Sequence, residues 1–286
     1  MRNDQEKISE EYTIIRPSAS LFSLNLGEVW QYKDLIRMYV KRNIVTLYKQ
    51  TILGPLWFII QPILTTLMFM FVFGRVAGIT TDGIPQPVFY FSGLLMWNYF
   101  SGCLTANSSV FISNQSIFGK VYFPRLVVPI STTISNLIKF IIQLFLFVAI
   151  YLYYYFTTDS FTPNAYALLF PLLLVMMAGL SMGFGTVISS MTTKYRDLTF
   201  LLNFGVQLWM YATPIIYPLN TMPADKQWLL QLNPITSIIE TFKYGIFSTG
   251  VFSWFWLCYS ICFMVVLLLL GIIVFNKVER GFMDTV

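Results

Sequence analysis

The stretch 251–275, VFSWFWLCYSICFMVVLLLLGIIVF, carries no charged side chain and is predominantly apolar along its whole length. A helix of about 20 predominantly apolar residues is long enough to cross the hydrocarbon core of a bilayer. We therefore predict a membrane-spanning helix here. Further uncharged stretches of sufficient length are found at 50–74, 83–119, 140–158, 160–193 and 198–224.

These stretches predict an all-α polytopic membrane protein with six transmembrane helices. In this chain 56% of the residues are hydrophobic and 11% are charged, whereas a soluble domain has about 25% charged residues. Polar residues, glycines and prolines interrupt the longer stretches, so each stretch supplies a single span. The predicted spans are residues 56–75, 88–111, 130–155, 165–190, 199–217 and 251–275.

The basic residues predict the orientation of the chain. All but four of the 18 lysines and arginines precede the first span or fall in segments on the same side of the membrane as the N-terminus. The exceptions are Arg75, Lys226 and Lys243 on the other side and Lys139 within the third span. Because cytoplasmic loops are enriched in Lys and Arg, both termini are predicted to be cytoplasmic. The net charge of +5 thus follows from topology and gives little support to a nucleic-acid partner.

The N-terminal part of the chain divides into a cytoplasmic tail, residues 1–24, and an amphipathic helix, residues 25–50, ahead of the transmembrane domain 51–286. The helix is predicted to lie in the headgroup layer of the membrane, to pack on a soluble partner, or both. Gly54 and Pro55 end it, so that the chain turns from lying on the membrane to crossing it. The apolar positions of the helix are Val29, Leu35, Ile36, Tyr39, Val40, Ile44 and Leu47.

The segment 113–128, between spans two and three, predicts a short cytoplasmic helix bounded by Pro124. It presents Lys120 and Arg125 beside several apolar side chains, more than a simple connecting loop needs. Such an apolar surface indicates that a partner docks there. The alternative is a membrane-surface elbow with the ordinary cytoplasmic charges. The apolar residues concerned are Ile117, Phe118, Val121 and Phe123.

After span five, several prolines prevent a single continuous helix. We predict two short re-entrant helices on the outer side, about 223–232 and 234–247, within a segment 223–247 that dips into the outer leaflet beside an aqueous exit path. Asn233 is a good cap for the second helix. Glu240 and Lys243 share one face of it, where they either pair with each other or face the outer solvent.

Four aromatic residues are placed where they could line a pore: Trp97, Tyr99, Trp209 and Tyr211. Amide and hydroxyl side chains flank them, among them Asn98 and Gln207. Aromatic rings stack on the C–H faces of sugars while amides bond to sugar hydroxyls, so this combination suits a path for a glycan. The alternative for each ring is ordinary packing in the helical bundle.

The sequence predicts no catalytic residue and no metal site. It contains no histidine, no phosphate-binding G-x-x-x-x-G-K-[ST] motif and no G-x-S-x-G motif. The spans also lack the buried carboxylates of a proton- or sodium-coupled carrier. The cysteines Cys103, Cys258 and Cys262 are interpreted as packing residues. A transporter of this kind needs energy from a partner ATPase.

From about residue 26 onward, the chain resembles the membrane permease subunit of bacterial ABC-2 polysaccharide exporters, which move O-antigen, capsule or teichoic acid. Each motif is weak alone, but their order between correctly placed spans is characteristic. The motifs are LGEVWQYKDLIRMYVKRNI, YKQTILGPLW followed by QP at 61–62, KVYFPRLVVP, YRDL at 195–198, TPIIYP at 213–218, NPITSIIETFK and ERGFMDTV.

The resemblance implies a channel made of two copies of the chain, with two ATP-binding-cassette subunits below it that bind ATP and Mg²⁺, and no cofactor in this chain. The elbow 113–128 would be the coupling helix, with Lys120, Pro124 and Arg125 near the ATPase. The location would be the bacterial inner membrane.

The resemblance also implies a path for the cargo, a polyprenyl-pyrophosphate-linked polysaccharide such as O-antigen. The amphipathic helix would be the interface helix, and Gly54 and Pro55 would form the entrance loop. Nearby basic residues would attract the pyrophosphate, and the helices at 223–247 would form an outer gate that includes Glu240 and Lys243. In the family an arginine usually stands where this chain has Lys243. The candidate pyrophosphate residues are Lys41, Arg42 and Lys49.

Other functions remain open at this point. The cargo of an ABC-2 permease could be teichoic acid, capsule, a drug or a lipid instead of O-antigen. A membrane transferase acting on polyprenyl lipids would turn over without an ATPase, and a passive channel would transport without regard to ATP.

Overall fold

The computed structural model describes residues 26–49, 52–118, 120–121, 123–158, 161–195 and 197–282. The predicted tail, residues 1–24, and the end of the ERGFMDTV motif lie outside these ranges. The described residues form α-helices joined by turns and short loops. The helices are α1 (Leu26–Gln31), α2 (Lys33–Tyr48), α3 (Trp57–Phe69), α4 (Gln86–Ser108), α5 (Val110–Ser113), α6 (Gln115–Phe118), α7 (Val127–Thr157), α8 (Phe170–Thr192), α9 (Leu198–Tyr211), α10 (Gln227–Gln231), α11 (Pro234–Phe247) and α12 (Trp254–Phe282).

Four helical segments are long and apolar enough to cross a membrane. Single-turn or π-helical extensions at the ends of α3 and α8 complete two of them. Two more predicted spans fall on α4 and α9, which do not meet the same criterion: α4 carries amides such as Asn98 and Asn107, and α9 has 14 residues. Six crossings therefore remain a prediction. The four segments are Gly54–Val76, Val127–Thr157, Ala165–Thr192 and Trp254–Val278.

The helix α4 lies at the centre of the bundle. It packs against α3, α7, α8 and α9, and nearly all of its side chains from Val88 onward are buried. Its Phe91 ring stacks on Phe147 of α7 at 6.0 Å between centroids. Because other helices surround it, α4 meets little lipid and can carry polar groups; Asn107 donates to the Thr133 hydroxyl at 3.1 Å.

Glycines bring α8 close to its two neighbours. A methyl group added at Gly183 would lie 2.9 Å from Cγ of Leu267, and one added at Gly271 would meet the Thr186 hydroxyl. On the other side, a methyl group at Gly185 would collide with Cβ of Asn107 in α4. Small residues thus let the backbones of α4, α8 and α12 approach closely within one chain.

Several predicted helices are shorter than the sequence suggested. The helix predicted over 25–50 is broken at Tyr32, whose φ and ψ of −89° and 23° interrupt the helical path between α1 and α2. The first outer helix, predicted over 223–232, is reduced to α10. Ahead of α10 the Lys226 N–H donates to the Pro223 carbonyl at 2.9 Å, which closes a tight turn in place of the first helical turn.

The coupling helix predicted over 113–128 is also corrected. Helix α6 ends at Phe118, and of the residues described between it and α7, none is helical. Pro124 disfavours helical backbone in the residue before it. In the residues described, the elbow is therefore the single helical turn α6, followed by turns and irregular backbone as far as α7.

Candidate functional site

The elbow is held by its own small apolar core, here called the elbow cluster. It joins helix α2, the elbow and the ends of α7 and α12. Phe111 stacks on Phe275 of α12 at 4.4 Å between ring centroids, and Tyr39 of α2 lies 6.1 Å from Phe123. A displacement of the elbow would therefore be felt by both α2 and α12. The buried members are Val29, Tyr39, Val110, Phe111, Phe118, Phe123, Leu126, Val127, Val128 and Phe275.

The three predicted coupling residues occupy different environments. Lys120 is exposed and lies next to Val121, whose side chain is 58% exposed. Pro124 is half-buried. Arg125 is buried, with its guanidinium 5.3 Å from the centre of the Phe118 ring. Lys120 and Val121 thus lie on the accessible surface of the elbow, while Arg125 stabilises its fold.

The predicted entrance residues form the turn into the first span. Gly54 has a φ of 50°, a left-handed conformation that a glycine adopts without strain. Pro55 follows at the start of the single-turn helix that leads into α3. The turn thus requires a glycine at position 54, and a proline suits the helix start at position 55.

The three candidate pyrophosphate residues are all exposed, but they lie in different surroundings. Arg42 turns toward the elbow, where it lies 4.3 Å from the centre of the Tyr39 ring and donates to Oδ1 of Asn114 at 3.4 Å. Lys49 lies at the end of α2, nearest in sequence to the entrance turn. Lys41 lines a groove between α2 and α7.

The four predicted pore aromatics do not line a common surface. An open groove of about 500 Å³ lies between α4 and α9, and Trp97 forms part of its wall. Trp209 supports Trp97 edge to face at 6.4 Å. Tyr99 packs on Phe140 of α7 instead, and Tyr211 is 51% exposed at the end of α9. The groove is lined by Trp97, Ser101, Gly102, Thr105, Asn203, Val206, Gln207 and Met210.

Besides Gln207, which the sequence indicated, the groove contains three polar residues that sequence reasoning missed: Ser101, Thr105 and Asn203. Ser101 and Thr105 are spaced i, i+4 on α4, and Asn203 and Gln207 are spaced i, i+4 on α9. Two such pairs face each other across the opening. Polar pairs at this spacing on apolar helices are a signal that the sequence offered. Together with Trp97 they form a wall with one aromatic face and several hydrogen-bonding groups.

The structure places Glu240 and Lys243 away from the outer solvent, since both side chains are buried with 3% exposure. They make no direct ion pair, because the ion pair found among the described residues joins Asp34 to Arg37. The two groups nevertheless lie close enough for each charge to stabilise the other. The helix α11 instead packs both side chains against the protein. Their burial raises the pKa of the Glu240 carboxyl and lowers the pKa of the Lys243 amine, since desolvation disfavours both charges.

Lys243 fastens α11 to the segment that follows α9. Its Nζ donates to the carbonyl oxygen of Pro214 at 2.7 Å and lies 4.0 Å from the centre of the Phe89 ring. Nearby, the Asn233 side chain donates to the Thr213 hydroxyl at 2.9 Å and accepts from the Ile235 N–H. Asn233, which caps α11, and the buried Lys243 thus both bind the turn at Thr213 and Pro214.

Glu240 faces a cavity of about 10 Å³, room for a single water molecule. Its Oε1 and the Thr236 hydroxyl are buried, and neither has a hydrogen-bond partner within the part of the chain that the structure describes. Both residues line this cavity, together with Gln231 and Ser253. The polar groups around Glu240 join α10, α11 and the start of α12.

Among the residues that the structure describes, no group of three or more Cys, Asp or Glu side chains could hold a metal ion. Cys103 is buried, whereas Cys258 and Cys262 are exposed on α12, and all three are free thiols. Lys139, inside α7, donates to Oδ1 of Asn136 at 3.0 Å.

Comparison with known proteins relates this arrangement to a family. The family profile described as ABC-2 type transporter matches residues 34–247. The O-antigen export system permease protein RfbA of Klebsiella pneumoniae is 27% identical, over 91% of this chain and 96% of the relative. The protein of the same name from Myxococcus xanthus is 28% identical, over 76% and 81%. The polysialic acid transport protein KpsM of Escherichia coli is 24% identical, over 85% and 93%.

Proposed function

The chain belongs to the ABC-2 type transporter family, and on this premise we propose that it is the channel-forming permease of an ATP-driven polysaccharide exporter in the bacterial inner membrane. Its cargo is a polyprenyl-pyrophosphate-linked polysaccharide, with O-antigen as the substrate. Two copies form the channel, with both termini of each in the cytoplasm. Two ATP-binding-cassette subunits bind below and hold ATP and Mg²⁺. Relatives named for O-antigen export and polysialic acid transport support the choice of a glycan.

The observation that carries this proposal is the elbow cluster. The exposed surface of Lys120 and Val121 provides a contact for the ATPase, and the aromatic rings behind it continue into the bundle. The Phe111 ring stacks on Phe275 of α12. The backbone N–H of Phe111 also donates to the Ser189 hydroxyl of α8 at 3.4 Å. Closure of the ATPase dimer would move the elbow and shift these helices together.

The groove between α4 and α9 suits the glycan. Trp97 offers an aromatic face for a sugar ring, while Asn203 and Gln207 can bond to hydroxyl groups. At the cytoplasmic end, Arg42 and Lys49 attract the pyrophosphate near the turn at Gly54 and Pro55. At the outer end, α10 and α11 form the gate, with Glu240 and Lys243 holding it to the bundle.

The first test is reconstitution of the chain with and without its ATPase. Vesicles holding both subunits should move a lipid-linked glycan only when ATP is supplied, and the chain alone should move none. Movement by the chain alone would favour a passive channel, and chemical conversion of the polyprenyl lipid without an ATPase would favour a transferase. Comparison of O-antigen, capsule and teichoic acid precursors would identify the cargo.

The elbow contact is tested by Lys120→Glu. Reversing an exposed charge leaves the elbow cluster intact, so the variant should fold normally but recover about tenfold less ATPase on co-purification, since like charges at an interface repel. Lys277→Glu, the same charge change on an exposed residue of α12, is the control and should bind the ATPase as the parent chain does. Equal recovery with both variants would place the ATPase contact elsewhere.

The glycan groove is tested by Asn203→Leu and Gln207→Leu. Each removes one amide from an exposed side of the groove. We expect the glycan concentration for half-maximal ATPase stimulation to rise about two- to tenfold. This factor corresponds to the loss of one hydrogen bond, which contributes about 0.5–1.5 kcal/mol. Gln143→Leu in α7, outside the groove, is the matched control. An unchanged concentration for both groove variants would show that the glycan takes another path.

A further inference from the structure

A second groove, of about 430 Å³, runs between α2 and the first turns of α7. Its floor consists of Ile36, Val40 and Ile44, which follow one another at intervals of four residues along α2, and Ile134 of α7. The floor is therefore apolar and continuous from one helix to the other. A hydrogen bond of 3.3 Å from the Asn43 side chain to the Ser135 hydroxyl holds the two helices together here.

A row of cations runs beside this floor. Lys33, Arg37 and Lys41 also follow at intervals of four residues, all three are exposed, and the last two line the groove. The row contains one counter-charge, since Asp34 accepts from Arg37 at 3.0 Å. The edge of the groove thus keeps a positive charge next to an apolar floor.

The position of the groove beside a long apolar helix limits what can occupy it. Ile134 belongs to the segment Val127–Thr157, which is long and apolar enough to span a membrane. One side of the groove is therefore a helix of membrane-spanning length, and the other side, α2, carries the cations along its edge. An occupant must offer hydrocarbon to the floor and an anion to the edge. A phospholipid at the membrane surface offers both.

We propose that this groove binds an anionic phospholipid of the surrounding leaflet. One acyl chain lies on Val40, Ile44 and Ile134, and the headgroup phosphate contacts Arg37 and Lys41. Each basic side chain near an anionic lipid surface contributes about 1 kcal/mol. Two unopposed cations would favour an anionic over a zwitterionic headgroup by about thirtyfold in affinity. Because Asp34 pairs with Arg37 and offsets part of its charge, we expect a preference of about tenfold. This proposal does not depend on the nature of the transported cargo.

The test is native mass spectrometry of the full chain in detergent, titrated with phosphatidylglycerol or phosphatidylethanolamine of identical acyl chains. Phosphatidylglycerol should bind about tenfold more tightly. The double variant Arg37→Gln/Lys41→Gln should lose this preference, and Ile134→Trp, which fills the groove while keeping the cations, should weaken binding of both lipids. Lys226→Gln, an exposed lysine far along the chain, is the control and should bind as the parent chain does.

Three results would overturn the proposal. The two phospholipids could bind equally well, or Ile134→Trp could leave the binding of both unchanged. In a competition arm, a polyprenyl diphosphate could displace phosphatidylglycerol and itself lose affinity in the double variant; the groove would then be a cargo site. Because Ile134→Trp retains both cations and the double variant retains the floor, misfolding of one variant still leaves the other to decide.

Discussion

Replacement of Lys243 by methionine is expected to destabilise the folded chain by about 3 kcal/mol, the lower end of the range found when one of two interacting buried charges is removed. The Pro214 carbonyl would lose the donor that lies 2.7 Å away, and the buried carboxylate of Glu240 would lose the nearby cation. Methionine fills a similar volume, so lost packing contributes little. The measurement is thermal unfolding of the purified chain in detergent, followed by tryptophan fluorescence.

Two further variants separate this effect from ordinary surface changes. Lys226→Met removes an exposed lysine that precedes α10 and should unfold like the parent chain. Adding Glu240→Gln to Lys243→Met should restore part of the lost stability, because the second change removes the uncompensated charge. If the double variant is no more stable than Lys243→Met, the role assigned to the charge of Glu240 is wrong.

The substitution Gly185→Val is expected to reduce stability by about 3 kcal/mol, the upper end of what overpacking a helical interface costs. An added Cβ would collide with Cβ of Asn107, and the Asn107 backbone lies 3.4 Å from the same point. These are atoms close to the main chain of α4, so a side-chain rotation cannot relieve the contact. The fraction of folded monodisperse chain after extraction, measured by size-exclusion chromatography, reports the loss.

The chain supplies a matched control for this substitution. Gly205, in α9, is also helical, but an added Cβ there would meet nothing within 4 Å. Gly205→Val changes the same atoms and the same helix propensity without a collision, so folding should be preserved. Similar losses in both variants would mean that the β-branched side chain, and not the close approach of α4 and α8, determines the result.

Local signals predicted part of the fold well. The bounds of α11, Pro234–Phe247, coincide with the predicted second outer helix, because Asn233 caps the helix and Pro234 suits its first position. The apolar segments likewise gave the long helices α7 and α12. In each case the residues that determine the structure are neighbours in sequence.

Contacts between distant parts of the chain explain most of what the sequence did not reveal. Lys243 donates to a carbonyl 29 residues away, a hydrogen-bond partner that its spacing to Glu240 did not reveal. The separation of Trp97 from Tyr99 depends on which neighbouring helix each side of α4 meets. Hydrophobic periodicity shows that a face is buried, but it does not say against what.

The central position of α4 has a consequence for how the chain is made. In the proposed six-span topology, this helix leaves the ribosome before α7, α8 and α12, yet its amides favour a protein environment over lipid. A stable position in the bilayer therefore requires partners that are synthesised later. Membrane integration of this part of the chain is then a cooperative event, completed only after the C-terminal helices have arrived.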